Sequence, residues 1–150
     1  LFLDRVQGEV ALDLVATGDF VLRRRDGVIA YALAVVVDDA DQGVTEVVRG
    51  ADLLESTPAQ IYLQSRLGLP TPSHAHLPVL TERGGAKLAK SRRSVALDPG
   101  RVAAELTRVL RLLGLDPPEA LAQASPPEIW GFARAKWSLE HVPRTRSLAL

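Results

Sequence analysis

The twelve residues 28–39, VIAYALAVVVDD, constrain the fold of this chain more than any other stretch. They are too apolar for a surface, and far short of the roughly 18 apolar residues that cross a bilayer. They therefore belong in a folded interior, but their two possible periods disagree. Three consecutive β-branched valines, Val35 to Val37, lose rotamer freedom in a helix and favour a strand. Leu33, Val36 and Val37 stand three and four apart, which is helical spacing. The residues alone leave both periods open.

The flanks are clearer. Phe2, Asp4 and Val6 alternate as in a short strand ended by Gly8, and Gly18-Asp19 marks a turn. Phe20 to Arg24 is predicted as a strand, closed by the tight-turn pair Asp26-Gly27. Gly43 ends the apolar element, and Thr45 to Arg49 is predicted as a buried strand. Ser56-Thr57-Pro58 gives an N-cap with proline in the first turn, and Gln60 falls near the capping-box position. Ile61, Leu63 and Leu67 follow as apolar positions, and Gly68 is a helix stop. Pro70, Pro72 and Pro78 make 69–78 an extended connection before a strand at Val79-Leu80.

The tail is predicted to be helical. Asp98-Pro99 caps a helix through Leu113, with Val102, Leu106, Val109, Leu110 and Leu113 on one face and Gly114 after it. Ser125-Pro126-Pro127-Glu128 is a capping box before a helix to about Trp137. Trp130 and Trp137, seven apart, are expected on one face as core.

Composition removes several function classes. The chain has 150 residues, with 18 basic and 18 acidic, so there is no general electrostatic attraction to nucleic acid. It has no cysteine, hence no disulfide or thiolate metal site. It begins at Leu1 without a signal-peptide pattern and contains no methionine, so its start is expected to be interior to a longer, cytoplasmic protein.

Among polar residues, Tyr31 and Arg49 stand out beside the apolar run and the buried strand. The bland readings are a core tyrosine with a satisfied hydroxyl, and an arginine pairing a carboxylate such as Asp52. The sharper reading is a pair holding substrate carboxylates, because a guanidinium matches a carboxylate fork. A second polar stretch, RGGAKLAKSRRS at 83–94, sets Arg83, Lys87, Lys90, Arg92 and Arg93 among small residues. Alone it is a solvated loop. Asp38-Asp39 are taken as helix-terminal carboxylates, since neighbours in a helix do not face each other. His74, His76 and His141 lack a metal-ligand arrangement and are taken as connection residues.

Residues 19–67 carry a resemblance. Asp19-Phe20, Arg24-Arg25-Asp26-Gly27, Tyr31, Leu33 to Asp39, Gly43-Val44-Thr45 and Val48 to Leu53 resemble the second half of the catalytic domain of glutamyl-tRNA-synthetase-like class I enzymes. Within that group the run is most similar to the short glutamyl-Q tRNA(Asp) synthetase branch, which lacks an anticodon-binding domain. Lys87-Leu88-Ala89-Lys90-Ser91 resembles the lysine-rich "KMSKS" loop, with Ala89 where the family has serine; Ala32 likewise replaces a common asparagine.

The resemblance implies an α/β fold: the C-terminal half of a class I Rossmann-type nucleotide-binding domain (1–97) and a helical tail (98–150). It turns 28–39 into a helix from about Leu33 to Ala40. It implies ATP-dependent activation of glutamate and transfer to the queuosine base of tRNA(Asp). Tyr31 and Arg49 would bind glutamate. Lys87 and Lys90 would act catalytically on the phosphates, Lys90 also binding ATP, with Mg²⁺ brought by ATP and no metal site in this chain. The "HIGH" ATP cradle and any zinc ligands would lie upstream. The full-length protein is expected to be a monomer without membrane attachment, and this piece alone inactive and marginal or oligomeric. The alternatives are glutamyl-tRNA synthetase itself, or a non-catalytic paralogue that binds tRNA or a partner.

Overall fold

A computed structural model describes residues 1–81 and 98–149. The chain forms two compact units, Leu1–Leu77 and Pro78–Leu150.

The first unit is built on a four-stranded sheet in the order β2-β1-β4-β3. β1 (Phe2–Asp4) pairs antiparallel with β2 (Gly8–Val10). Between them Asp4 Oδ1 accepts the backbone N–H groups of Val6 and Gln7, at 3.0 and 2.8 Å. This Asx turn reverses the chain, and Gly8, at φ 81°, takes the left-handed geometry that the second strand needs. β1 also pairs parallel with β4 (Ser73–Leu77), and β4 pairs parallel with β3 (Glu46–Gly50). Three parallel neighbours joined by helices make the unit α/β.

A short helix α1 (Leu14–Thr17) follows β2, N-capped by Asp13. The strand expected at Phe20 to Arg24 does not form. The Asp26-Gly27 turn is present, but its arms meet in a single antiparallel bridge, Arg23 to Ile29, and Val21 is exposed. A two-armed hairpin without a third strand has no apolar face to bury.

The disputed run is a helix, α2 (Tyr31–Asp41). Val36 is 1% exposed, while Val37 lies at the surface. Burying one face outweighs the few tenths of a kcal/mol by which each valine disfavours helix. Asp38 and Asp39 lie in its C-terminal part, as expected. β3 begins at Glu46 but is an edge strand, not a buried one: Val48 is 58% exposed.

From Ala51 a 3₁₀ turn (Ala51–Ser56) runs directly into α3 (Thr57–Leu67). The expected Ser56 cap is therefore absent. Ser56 is already helical, and its hydroxyl donates to the Leu53 carbonyl at 2.7 Å. Gly68 closes α3 in the left-handed conformation, as its sequence position predicts. The connection 69–78 is not extended coil throughout, since it contains β4.

The second unit holds α4 (Val102–Leu112) and α5 (Pro126–Lys136) around Leu110, Leu115, Ile129 and Ala133. The Glu128 carboxylate accepts from the Ser125 backbone N–H and hydroxyl at 2.8 and 2.6 Å, the reciprocal half of the predicted capping box. The buried face of α4 is rotated from the expected one. It carries Leu106, Thr107, Leu110 and Leu113, while Val102 and Val109 are exposed. Trp130 and Trp137 are exposed rather than core. Trp137 has left the helix in an extended conformation, so helical spacing no longer relates the two. The helical tail ends in a strand, β6 (Ser147–Ala149), paired parallel with β5 (Val79–Thr81).

Candidate functional site

Strand register creates the site. Val47 pairs with His74 and Arg49 with His76 across β3–β4, while Asp4 pairs with His74 across β1–β4. Directly paired residues share a face of the sheet, so Asp4, His74, His76 and Arg49 all project to one side. The first turn of α3 supplies Thr57 and Gln60 to the same cluster.

Arg49 makes four hydrogen bonds. Its Nε donates to His76 Nε2 at 3.0 Å, and its Nη2 donates to Thr57 Oγ1 at 2.7 Å and to Gln60 Oε1 at 2.8 Å. A longer contact of 3.5 Å reaches the Leu53 carbonyl. Asp52 is not among these partners. A guanidinium has five donor hydrogens. Nε and Nη2 use three of them, and Nη1 has no partner among the described residues.

The protons follow from this geometry. Arginine can only donate, so His76 Nε2 must accept. The single proton of the neutral ring then sits on Nδ1, which donates to Asp4 Oδ2 at 2.5 Å. Burial pushes the His76 pKa down; the Asp4 contact opposes this and the Arg49 charge adds to it, with a net lowering. His74 lies parallel to His76, ring centroids 6.0 Å apart. Burial first, then the charges of Arg49 and His76, push its pKa down to about 4. Burial alone would raise Asp4. Hydrogen bonds from Gln7, His76 and Val6 outweigh it and hold the carboxyl below its ordinary value.

The taking of His74 and His76 as connection residues is thus corrected: both are buried strand residues, and His76 is wholly inaccessible. Gln60, expected near a capping position, instead accepts from Arg49. Its own Nε2 is buried and has no partner among the described residues. An orphaned buried donor costs about 1–3 kcal/mol, so this cluster carries more donors than it can satisfy.

Tyr31 opens α2 and is 55% exposed, so it is not a core tyrosine. No hydrogen bond joins it to Arg49 among the described residues. Lys87 and Lys90 lie outside the described residues. Among the described residues, no group of three or more His, Cys, Asp or Glu is placed to hold a metal, and no helix is long and apolar enough to cross a membrane.

Residues 1–124 match the family described as tRNA synthetases class I (E and Q), catalytic domain. The chain belongs to that family. A glutamyl-Q tRNA(Asp) synthetase of Ectopseudomonas mendocina is 54% identical over 149 residues, covering 99% of this chain and 51% of the relative. That of Pseudomonas aeruginosa is 53% identical over 148 residues, covering 98% and 50%. That of Dechloromonas aromatica is 53% identical over 150 residues, covering 99% and 50%. The chain thus spans about half the length of the curated relatives it matches. In fold it is similar to the glutamate-tRNA synthetase of Elizabethkingia anophelis, with a TM-score of 0.72 at 23% identity over 96% of this chain and 33% of that one. A glutamate tRNA ligase of Elizabethkingia meningosepticum, in complex with its amino acid, gives 0.71 at 23% identity over 96% and 32%. The α/β unit is therefore part of a class I, Rossmann-type synthetase catalytic domain.

Proposed function

We propose that the polypeptide carrying this chain activates glutamate with ATP and transfers the glutamyl group to the queuosine base of tRNA(Asp). The observation that carries the reading is the donor surplus at Arg49. Among the described residues its guanidinium is held by uncharged acceptors, has no partner on Nη1, and lies beside the orphaned amide of Gln60. Among those residues no anion is bonded directly to it, and a substrate carboxylate is an anion. The rest is supplied by the relatives, which are glutamyl-Q tRNA(Asp) synthetases.

In this reading Arg49 holds a glutamate carboxylate, and Tyr31, exposed at the start of α2, adds a hydroxyl. A glutamate carboxylate oxygen attacks the α-phosphorus of ATP. One P–O bond forms, the bond to the β-phosphate breaks, and pyrophosphate leaves. Such a step requires positioning and charge stabilisation more than proton transfer. Lys87 and Lys90 follow the leaving phosphates, with Mg²⁺ entering as part of the ATP substrate. Residues 1–97 supply the second half of the catalytic domain and 98–150 a helical tail.

The test is glutamate-dependent ATP–pyrophosphate exchange without tRNA, in the polypeptide at its full natural length, followed by transfer of labelled glutamate. Exchange, and label on the queuosine base, support the reading. Label on the acceptor end assigns glutamyl-tRNA synthetase activity instead, and absence of exchange assigns a binding paralogue. Residues 1–150 by themselves are expected to show no exchange.

A further inference from the structure

We propose that Asp4 and His76 are positioning residues for Arg49. They form a buried carboxylate–imidazole relay that grips the guanidinium by its Nε edge and leaves Nη1 to the substrate. This rests on the reading of Arg49 as the ligand of the glutamate carboxylate.

Arg49 starts from an edge strand, where a long side chain with about 2 kcal/mol of rotamer entropy would otherwise wander. Each link of the relay removes that freedom. Asp4 cannot turn, because Oδ1 accepts from the backbone N–H groups of Val6, Gln7 and His76 at 3.0, 2.8 and 3.1 Å. His76 cannot turn, because Nδ1 is engaged by Asp4 Oδ2 and its ring lies parallel to His74. The acceptor lone pair on Nε2 is thereby turned to Arg49 Nε at 3.0 Å, with the Thr57 hydroxyl 3.1 Å from the same nitrogen. The relay is anchored in the backbone of two strands and ends at the guanidinium.

The arrangement also settles where the counter-charge sits. A carboxylate bonded directly to Arg49 would occupy the donors that a substrate carboxylate needs. Asp4 acts instead at one remove, through a neutral imidazole, so the direct partners of Arg49 among the described residues are uncharged. The guanidinium is electrostatically supported and has no anion bonded to it among those residues. A purely architectural Asp–His pair would also keep the proton on Nδ1, so the readout that separates it from this relay is glutamate binding.

Asp4→Asn separates the two. Oδ1 is committed to three backbone donors, so the new amide N–H faces His76 Nδ1 and forces the proton to Nε2, opposite the Nε–H of Arg49. In the polypeptide at full natural length, ¹⁵N NMR of the histidine rings is expected to show a protonated Nδ1 of His76 at neutral pH, and the reverse in D4N. In the same polypeptide, D4N is expected to raise the KM for glutamate about tenfold or more, the scale of one lost charged hydrogen bond. The KM for ATP should stay within about twofold, because uniform damage would move both. His76→Ala, which removes the acceptor for Arg49 Nε, should raise the KM for glutamate as D4N does and leave the KM for ATP within about twofold. A protonated Nε2 in the wild type, an unchanged KM for glutamate in D4N, or equal rises for glutamate and ATP would each overturn the relay. Arg49→Ala with unchanged glutamate KM would sink the parent reading instead, and a tautomer reversal in D4N would still stand.

Discussion

The two compact units bury different chemistry. Around the first sheet the interior is nearly half polar: Asp4, Thr57, Gln60, Gln64, His74 and His76 are buried among Val6, Val10, Val36, Ala51, Leu54, Ala59, Leu63 and Ala75. Around α4 and α5 it is almost wholly apolar, with Leu110, Leu115, Ile129 and Ala133 at the centre and Thr107 bonded back to its own helix. Buried polar groups must each find a partner, which makes an interior specific but fragile. The apolar unit tolerates change through packing alone. The polar one places a cation, and its mutants should be told apart by binding more than by melting.

The largest effect tests that contrast directly. Arg49→Ala should raise the glutamate KM about a hundredfold, the scale of a lost charged partner, while the thermal transition moves little. A lowered melting temperature with unchanged glutamate dependence would make Arg49 structural and the contrast false. In the second unit, Ile129→Ala should behave in the opposite way. It should cost about 2–5 kcal/mol of stability by cavity formation, with no change in glutamate KM for folded enzyme. Gly114→Ala belongs to the same class, because its φ is 83° and a Cβ would sit 1.9 Å from the His141 carbonyl oxygen. A normal transition in G114A would show that the turn can rearrange. Thr57→Val keeps volume but removes one acceptor from Arg49, and should raise glutamate KM about tenfold; the serine variant should restore it.

The smallest effect is the response to acid. His74 has a folded pKa of about 4 against an ordinary 6.5, so below pH 6.5 the unfolded chain binds the proton first. Stability is complete above 6.5 and falls as the pH drops towards 4. His76, also lowered, adds in the same direction, and Asp4, lowered as well, adds its loss below the ordinary carboxylate range. A melting series from pH 7.5 to 4 should show the first unit weakening, and His74→Gln should flatten it. A profile with no slope below pH 6.5 would show that His74 is not held neutral.

Much of this was legible in the sequence. Arg49 was placed correctly at the end of a strand, and α2 was anticipated because the family resemblance overrode three valines. Gly68 and the Ser125–Glu128 box are local signals that were read correctly, whereas the equally local Ser56 cap and the Phe20 to Arg24 strand were not. The Asp4–His76 pair was not found, because its members are joined by strand pairing and not by spacing. Asp4 looked like an alternating strand residue, and His76 like part of a proline-rich connection. The faces of α4 and α5 were misjudged for a related reason: valine and tryptophan mark apolar positions without saying which ones face a neighbour. Gln60 was assigned to a cap because its offset from Ser56 is right. Only the 3₁₀ turn before it frees that side chain for Arg49.

The relay also says something about the order in which the chain organises itself. Arg49 and His76 are 27 residues apart, whereas Asp4 and His76 are 72 apart and their strands share a single residue pair, Asp4 with His74. Closing the longer loop costs about 0.9 kcal/mol more in chain entropy. The β3–β4 ladder can therefore form while β1 is still loose, and in that intermediate arrangement only the Nε–H of Arg49 favours the Nδ1 tautomer of His76. The Asp4 carboxylate adds its hold on that proton when β1 docks. Loosening of β1 from β4 would reach Arg49 as a weakened hold on that proton, long before any strand next to the guanidinium came apart.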